Sequence, residues 1–330
     1  MVASANARRT GTPGEPGAPV AARIKRIGER QEALAGLALV AIPMVLFLIL
    51  NIGSILYAMF ISVWRWNVRT GPQDFKGIDN YVHVLNDPIF QSAIMNTLYY
   101  TVIWVPLTMA IGLFLAIIVN QKIRGQTFFR GAFYFPSIAS SAAITTLWIF
   151  IVSPYGLFNS ARAALGFNPL FSALGFDPAQ DWLGDYHTAM NSVIVLNAWT
   201  TSGTFMLFYL ASLQAIPHEV YEAAAIDGAG AWSTFRQITF PLLRPGHFFV
   251  ATVGVIGGLQ LFDQSFIAGG PDGNPANSLM TMVLYLYNRA FKRVSFGEAA
   301  AVGVILFVVI FGATLLQRWF FEGRHKAEAA

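Results

Sequence analysis

The sequence predicts an all-α, polytopic membrane protein with six membrane-spanning helices. Hydrophobic residues make up 55% of the 330 residues and charged residues only 12%, whereas soluble domains carry roughly a quarter charged residues. Polar material is therefore too scarce to coat a globule, and lipid must cover much of the surface. The absence of cysteine excludes disulfides, thiolate zinc sites and cysteine nucleophiles, and no metal site is expected.

Six apolar segments supply the spans in order along the chain. The first covers residues 33–63 without a charge, and it begins too late and runs too long to be a cleaved signal peptide. As a helix it exceeds the ~30 Å hydrocarbon core, so it should tilt or project. The other five segments are 88–121, with its helix at 94–119, and then 131–152, 188–215, the glycine-rich 248–262 and 297–321.

The distribution of positive charge predicts the orientation. Six spans place both termini on one side, together with the segments near 120–130 and 214–244. That side carries 14 of the 21 lysines and arginines, which by the positive-inside rule puts both termini in the cytoplasm. Residues 1–30 should be a disordered cytoplasmic tail and residues 323–330 a second cytoplasmic tail. The basic charge thus reports topology, and no nucleic-acid partner is expected.

A polar loop at residues 214–244 interrupts the apolar pattern between the fourth and fifth spans. Pro217 can open a short helix, and Gly228 permits a sharp turn. A second helical stretch at 232–238 should end before Pro241, which disfavours helix in the preceding residue. Composition alone allows two interpretations of this loop. It could be an amphipathic segment that lies on the lipid surface, or it could bind another protein.

The residues of this loop decide between those interpretations, because their spacing resembles the EAA signature of ABC importer permeases. Glu222-Ala223-Ala224 is followed after three positions by Gly228, and Ile238 stands three residues before Pro241. The family pattern has Leu before the proline, whereas this chain has Phe240, a conservative departure. The resemblance implies a type I ABC importer fold, with a permease domain over residues 31–322.

The same resemblance implies how the loop is used. Its first helix would dock on a separate ABC ATPase dimer, and Glu222 would meet a basic residue there or cap its own helix. The residues assigned to this coupling contact are Glu222, Ala223, Ala224, Asp227, Gly228, Ile238 and Pro241. The chain itself contains no GxxxxGK[ST] phosphate loop. It is therefore expected to be no enzyme and to bind no cofactor, with ATP and Mg²⁺ held by the partner ATPase.

Three further segments resemble the carbohydrate-uptake branch of that family, of the maltose, glycerol-phosphate and N-acetylglucosamine type. They are residues 75–101, residues 129–140, and residues 261–275, where Phe262-Asp263 precedes Gly269-Gly270-Pro271. The implied cargo is a sugar or oligosaccharide. The implied partners are a second homologous permease and an extracytoplasmic sugar-binding protein, assembled in the lipid of a prokaryotic plasma (inner) membrane.

Polar and aromatic residues within the spans are candidates for the substrate pathway, because such groups are costly in lipid and a sugar needs hydrogen bonds and an aromatic face. The candidates are Asn197 and Trp199 in the fourth span, and Gln260 and Asp263 at the outer end of the fifth. Asparagine and glutamine also bond neighbouring helices, and Asp263 can instead close a gate. Gly254 and Gly258 suggest a close helix contact.

The alternative function is an ion-coupled secondary transporter of small solutes. Such a protein needs a buried acid or histidine within a span. The six predicted spans contain almost none, since the five histidines and the acids fall in loops or at span ends. The same absence argues against a membrane enzyme.

Overall fold

The computed structural model describes residues 35–121 and 125–328, with side chains as far as residue 321. The predicted tail at 1–30, the side chains of the tail at 323–330, and Lys122 and Arg124 lie outside the described residues. The chain divides into two compact units, Met1–Tyr57 and Ala58–Ala330. The described part is mostly helical, which confirms the predicted fold class.

The membrane-spanning helices agree in number with the prediction. Over the described residues, five helices are long and apolar enough to cross a membrane, and one bent pair brings the number to six. Span 1 is Ala35–Ser62, with a π-helical stretch at Leu48–Gly53. The others are span 2 at Pro88–Asn120, span 3 as the pair Gln126–Ile138 and Ser141–Ile151, span 4 at Ala189–Gln214, span 5 at Arg244–Gly269 and span 6 at Phe296–Phe321, whose helix continues to Glu328.

Span 3 corrects the prediction of one continuous helix over 131–152. Its two halves meet at a bend of 93°. The backbone of Ala139 and Ser140 is extended, with ψ of 145° and 131°, so the helical hydrogen bonds stop there. Pro136 lies one turn earlier and lacks the N–H that a helix needs. The break therefore follows from the local sequence, although the apolar character of the segment is continuous.

Two other spans begin earlier than predicted. Span 2 starts at Pro88 instead of residue 94, because the Asp87 carboxylate caps it by accepting a 2.8 Å hydrogen bond from the N–H of Ile89, and proline is favoured in a first turn. Span 5 starts at Arg244 instead of residue 248 and reaches Gly269. Its regular helix is interrupted between Leu259 and Asp263.

The connecting segments hold short elements of their own. Strands β1 (Trp64–Asn67) and β2 (Gly71–Phe75) form an antiparallel hairpin in which Trp64 pairs with Phe75. Short helices lie at Asp79–Leu85, Leu157–Ala164, Asn168–Ala173 and Met282–Tyr287, the last continuing into a π turn at Asn288–Lys292. The hairpin is a small addition to the all-α prediction.

Spans 2, 4 and 5 pack around one hydrophobic core. Fully buried residues of this core include Phe205, Met206 and Tyr209 of span 4. The predicted glycine contact of span 5 is made within the chain. A Cβ at Gly254 would lie 3.1 Å from a methyl of Val105, and one at Gly258 would lie 2.9 Å from the Thr101 hydroxyl. Small residues thus let spans 2 and 5 approach closely.

A buried ion cluster joins the N-terminal ends of spans 2 and 6. The Arg289 guanidinium contacts Asp87, donates to Glu298 at 2.9 Å and donates to the Tyr285 hydroxyl at 2.8 Å. Burial acts to raise the pKa of Asp87, but the hydrogen bonds from Ile89, Tyr285 and Arg289 outweigh it and hold that pKa below its usual value. Because both carboxylates face one cation, the cluster ties two distant parts of the chain together.

Candidate functional site

A cavity of about 250 Å³ lies among spans 2, 4 and 5. Its size is just below the ~300 Å³ at which small-molecule pockets usually start. The lining combines aromatic rings, amides, a hydroxyl and one carboxylate. The lining residues are Tyr100, Trp104, Asn197, Thr201, Gly257, Gln260, Leu261, Phe262, Asp263 and Gln264.

The wall of the cavity on span 2 consists of two stacked aromatic rings that carry polar groups. The rings of Tyr100 and Trp104, one helical turn apart on span 2, stack with their centroids 5.4 Å apart and 16° between their planes. The amide of Asn197 donates a 2.8 Å hydrogen bond to the Tyr100 hydroxyl. The Trp104 indole N–H is buried and has no hydrogen-bond partner among the described residues. An indole nitrogen can only donate, and because this one is buried behind the wall, it is out of reach of a molecule in the cavity.

The interruption of span 5 forms the opposite wall. Gln260 ends the regular helix and Asp263 starts the next helical segment, and both side chains are exposed. The freed carbonyl of Leu261 accepts a 2.7 Å hydrogen bond from the Thr281 hydroxyl. Irregular backbone at membrane depth is tolerated where it is buried in protein or lines a cavity. The amide of Gln264 also reaches Ser141, at the break in span 3, at 3.0 Å.

The structure brings three of the four predicted pathway residues together at this cavity. Asn197, Gln260 and Asp263 line it, whereas Trp199 is absent from the lining and is 46% exposed. Sequence reasoning missed Tyr100 and Trp104, which lie almost 100 residues before Asn197. Their spacing of four residues, which places them on one helix face, is the only local signal that distinguishes them from the other aromatic residues of span 2.

The coupling loop at residues 214–244 has the predicted helix–turn–helix form. Its first helix is His218–Ile226. Glu222, Ala223 and Asp227 are exposed, whereas Ala224 is only 5% exposed and packs against the chain itself. Glu222 lies in the middle of the helix, 4.0 Å from the His218 imidazole, and therefore does not cap the helix start. The predicted contact of Glu222 with a partner stays a prediction.

A Schellman motif ends this helix at Gly228. The N–H of Ala229 bonds the carbonyl of Ala224 at 2.9 Å, and the N–H of Gly228 bonds that of Ala225 at 3.1 Å, the pair of bonds that defines the motif. Gly228 has φ of +76°, a conformation that costs other residues about 1–2 kcal/mol. A Cβ at this position would meet nothing within 4 Å. The glycine is therefore needed for its conformation, and not to fit against this chain.

The second helix corrects the prediction that it ends before Pro241. It runs from Ala231 through a π turn at Phe235–Thr239 into Phe240–Leu242. In the π turn the N–H of Phe240 bonds the carbonyl of Phe235, one residue further back than in an α-helix. This wider turn just ahead of Pro241 accommodates the proline ring, which would otherwise clash with the preceding turn. Ile238 is half-buried and Pro241 is exposed.

The coupling loop continues directly into the two spans that it connects, since span 4 ends at Gln214 and span 5 starts at Arg244. The Thr239 hydroxyl lies 3.4 Å from the Tyr221 hydroxyl, which joins its two helices. Beyond the loop, the His247 imidazole of span 5 lies 3.0 Å from the Tyr209 hydroxyl of span 4. Spans 4 and 5 also supply walls of the cavity. The loop and the cavity are thus attached to the same pair of helices.

Comparison with known proteins places these features in a wider group. The family model described as binding-protein-dependent transport system inner membrane component matches residues 108–325. The arabinooligosaccharides transport system permease protein of Bacillus subtilis is 34% identical, over 83% of this chain and 84% of that protein. The lactose transport system permease protein of Rhizobium radiobacter is 35% identical, over 76% of this chain and 82% of its own length.

Solved structures share the architecture. A bacterial ABC transporter involved in the import of the acidic polysaccharide alginate superposes with a TM-score of 0.73 at 19% identity, covering 91% of this chain and 98% of that one. The same kind of alginate transporter, in complex with an alginate pentasaccharide-bound periplasmic protein, gives a TM-score of 0.70 at 21% identity, covering 89% and 94%. At such identities these likenesses concern the fold.

Proposed function

The chain belongs to the family of binding-protein-dependent transport system inner membrane components, and from that premise we propose that it forms half of the translocation pathway of an ATP-driven sugar importer. Membership makes it a multi-pass membrane permease of the ABC class. The proposed cargo is a sugar or oligosaccharide, as the names of the arabinooligosaccharide and lactose relatives suggest. Both termini are proposed to be cytoplasmic, following the lysine and arginine asymmetry.

The proposed partners are a separate ATPase dimer, a second homologous permease and an extracytoplasmic sugar-binding protein. The observation that carries the coupling role is the exposed first helix of the coupling loop. Glu222, Ala223 and Asp227 point away from the chain, and the space around Gly228 is empty. Such a surface, with small side chains and a fixed turn, suits close approach by a second protein. ATP and Mg²⁺ would be held by that protein.

The proposed mechanism uses the attachment of the coupling loop to spans 4 and 5. A displacement of the docked loop would be carried into span 5 through the contact between the Phe240 and His247 rings, whose centroids lie 4.5 Å apart, and from His247 to Tyr209 of span 4. Those spans form walls of the cavity, so their movement would open or close it. The structure corrects the expectation that almost no histidine or acid lies within a span, because His247 is buried in span 5 and Asp263 lies further along it. The ion-coupled alternative is set aside because the chain belongs to the binding-protein-dependent family.

The test places a large charged side chain on the docking face. Ala223→Arg changes an exposed position and should leave the fold intact, while uptake of sugar and co-purification of the ATPase should fall by about ten-fold or more. The matched control is Ala163→Arg, another exposed alanine, in the short helix Leu157–Ala164 on the opposite side of the proposed topology. Normal ATPase binding and uptake by Ala223→Arg would show that this helix is not the docking site.

A further inference from the structure

The described lining of the cavity carries a negative charge and no positive charge. Of the described residues that line it, Asp263 alone carries a charge, and none is a lysine, arginine or histidine. Two of the three basic residues of the segment after span 5 form ion pairs, Arg289 with Asp87 and Glu298, and Lys292 with Asp272 at 2.6 Å. The hydrogen bond from Lys292 lowers the pKa of the Asp272 carboxylate, and the charge of the third basic residue, Arg293, helps to lower it. Arg293 does not line the cavity. The contribution of this chain to the pathway is therefore neutral to negative.

The remaining polar groups match hydroxyls better than anions. The Tyr100 hydroxyl accepts from Asn197, which leaves its own proton to donate. Gln260 adds both a donor and an acceptor, and Asp263 accepts only. A hydroxyl both donates and accepts, so it can satisfy each of these groups in turn. A carboxylate or phosphate can only accept, and it would face Asp263 without a cation to offset it.

We propose that this pathway is built for an uncharged sugar or an amino sugar, and against sugar acids and sugar phosphates. The inference rests on the proposed function and deepens it by naming the class of cargo. Asp263, which is exposed in the cavity lining, accepts from a hydroxyl or an ammonium group. The fold does not decide this point, because a neighbour with the same architecture is named for the import of an acidic polysaccharide.

The experiment measures which sugars are removed from a mixed pool by cells that carry the complete transporter. Neutral, amino and acidic oligosaccharides are supplied together, and their depletion is followed by mass spectrometry with and without the gene for this chain. Gene-dependent depletion of neutral or amino sugars, about ten-fold or more faster than that of their acidic analogues, is the expected result. Gene-dependent depletion of acidic sugars overturns the charge inference and leaves sugar import standing. If no sugar depends on the gene, the proposed function itself fails, and the inference fails with it.

A pair of variants then tests whether Asp263 acts in the pathway. Asp263→Asn keeps the shape but removes the charge that faces the cargo. Uptake of the sugar identified in the pool, at limiting concentration, should fall by about ten-fold or more, as for loss of a hydrogen bond to a charged group. Asp74→Asn removes a 62% exposed carboxylate in the β1–β2 hairpin, outside the cavity, and should leave uptake within about two-fold. Equal uptake by both variants would refute the role of Asp263.

Discussion

Removing the Arg289 guanidinium should destabilise the protein far more than removing an exposed arginine. In the cluster, the side chains of Arg289, Asp87 and Glu298 are only 8%, 14% and 18% exposed. Arg289→Met would leave both carboxylates buried without their cation, and breaking a buried pair in this way costs about 3–5 kcal/mol. We therefore expect the free energy of unfolding to fall by about 3–5 kcal/mol.

The matched control is Arg65→Met. Arg65 lies 3.8 Å from Asp74, and the two side chains are 67% and 62% exposed, so the loss should be about 0–1 kcal/mol. Both variants are compared by denaturant titration of the protein in the same detergent micelles. A loss below about 1 kcal/mol for Arg289→Met, equal to that of the control, would refute the assignment of the cluster as a stabilising link.

The dependence on pH gives this prediction a second signature. Because the pKa of Asp87 is lowered in the folded state, its ionised form stabilises the fold above the usual value of 3.8. That contribution is lost as the pH falls through the lower, folded pKa. The stability difference between the wild type and Asp87→Asn should therefore be constant at neutral pH and shrink only on acidification below the usual value. A difference that disappears well above that value would exclude Asp87 as its source.

Two further predictions use pairs of glycines that lie close in sequence. Gly228→Ala should weaken ATPase association and uptake, because its φ of +76° costs alanine about 1–2 kcal/mol. Gly230 has an ordinary φ of −72° and equally open space around it. Gly230→Ala should therefore match the wild type in a pull-down and uptake assay. Gly257→Leu should block uptake without loss of stability, since Gly257 lines the cavity and its Cβ would meet nothing within 4 Å. Gly258→Leu should instead lower the thermal midpoint, because its Cβ would lie 2.9 Å from Thr101; equal melting of the two would contradict the contrast.

Apolar runs predicted the number of spans well, because the cost of exposing polar groups to lipid is large and local in sequence. The ends of the spans were less predictable. Span 2 starts six residues early owing to a single cap from Asp87, and span 3 bends at Ala139 and Ser140, neither of which changes the apolar character of the segment. The helix that continues through Pro241 depends on a π turn, and no residue pattern in the sequence predicts that turn.

The site was predictable only where its residues are neighbours in sequence. The residues predicted for the coupling contact lie within the 20 positions from Glu222 to Pro241, so a resemblance in local spacing was enough to propose them. The cavity unites Tyr100 and Trp104 with Asn197 and Asp263, which are separated along the chain by whole spans. The cluster of Asp87, Arg289 and Glu298 was missed for the same reason. Each of these charged residues lies at the end of an apolar segment, where charged residues are expected. None of them therefore stood out in the sequence.

The break inside span 3 and the interruption at the predicted end of span 5 lie next to each other, and the second of them lines the cavity. Span 3 breaks just before Ser141, and span 5 is interrupted just before Asp263. A 3.0 Å hydrogen bond from Gln264 to Ser141 joins the two breaks. Broken helices are tolerated at membrane depth only where protein or a water-filled cavity satisfies their freed polar groups. The departures from a regular helix therefore lie where side chains of the same chain satisfy the freed polar groups, beside the cavity that we propose as part of the pathway.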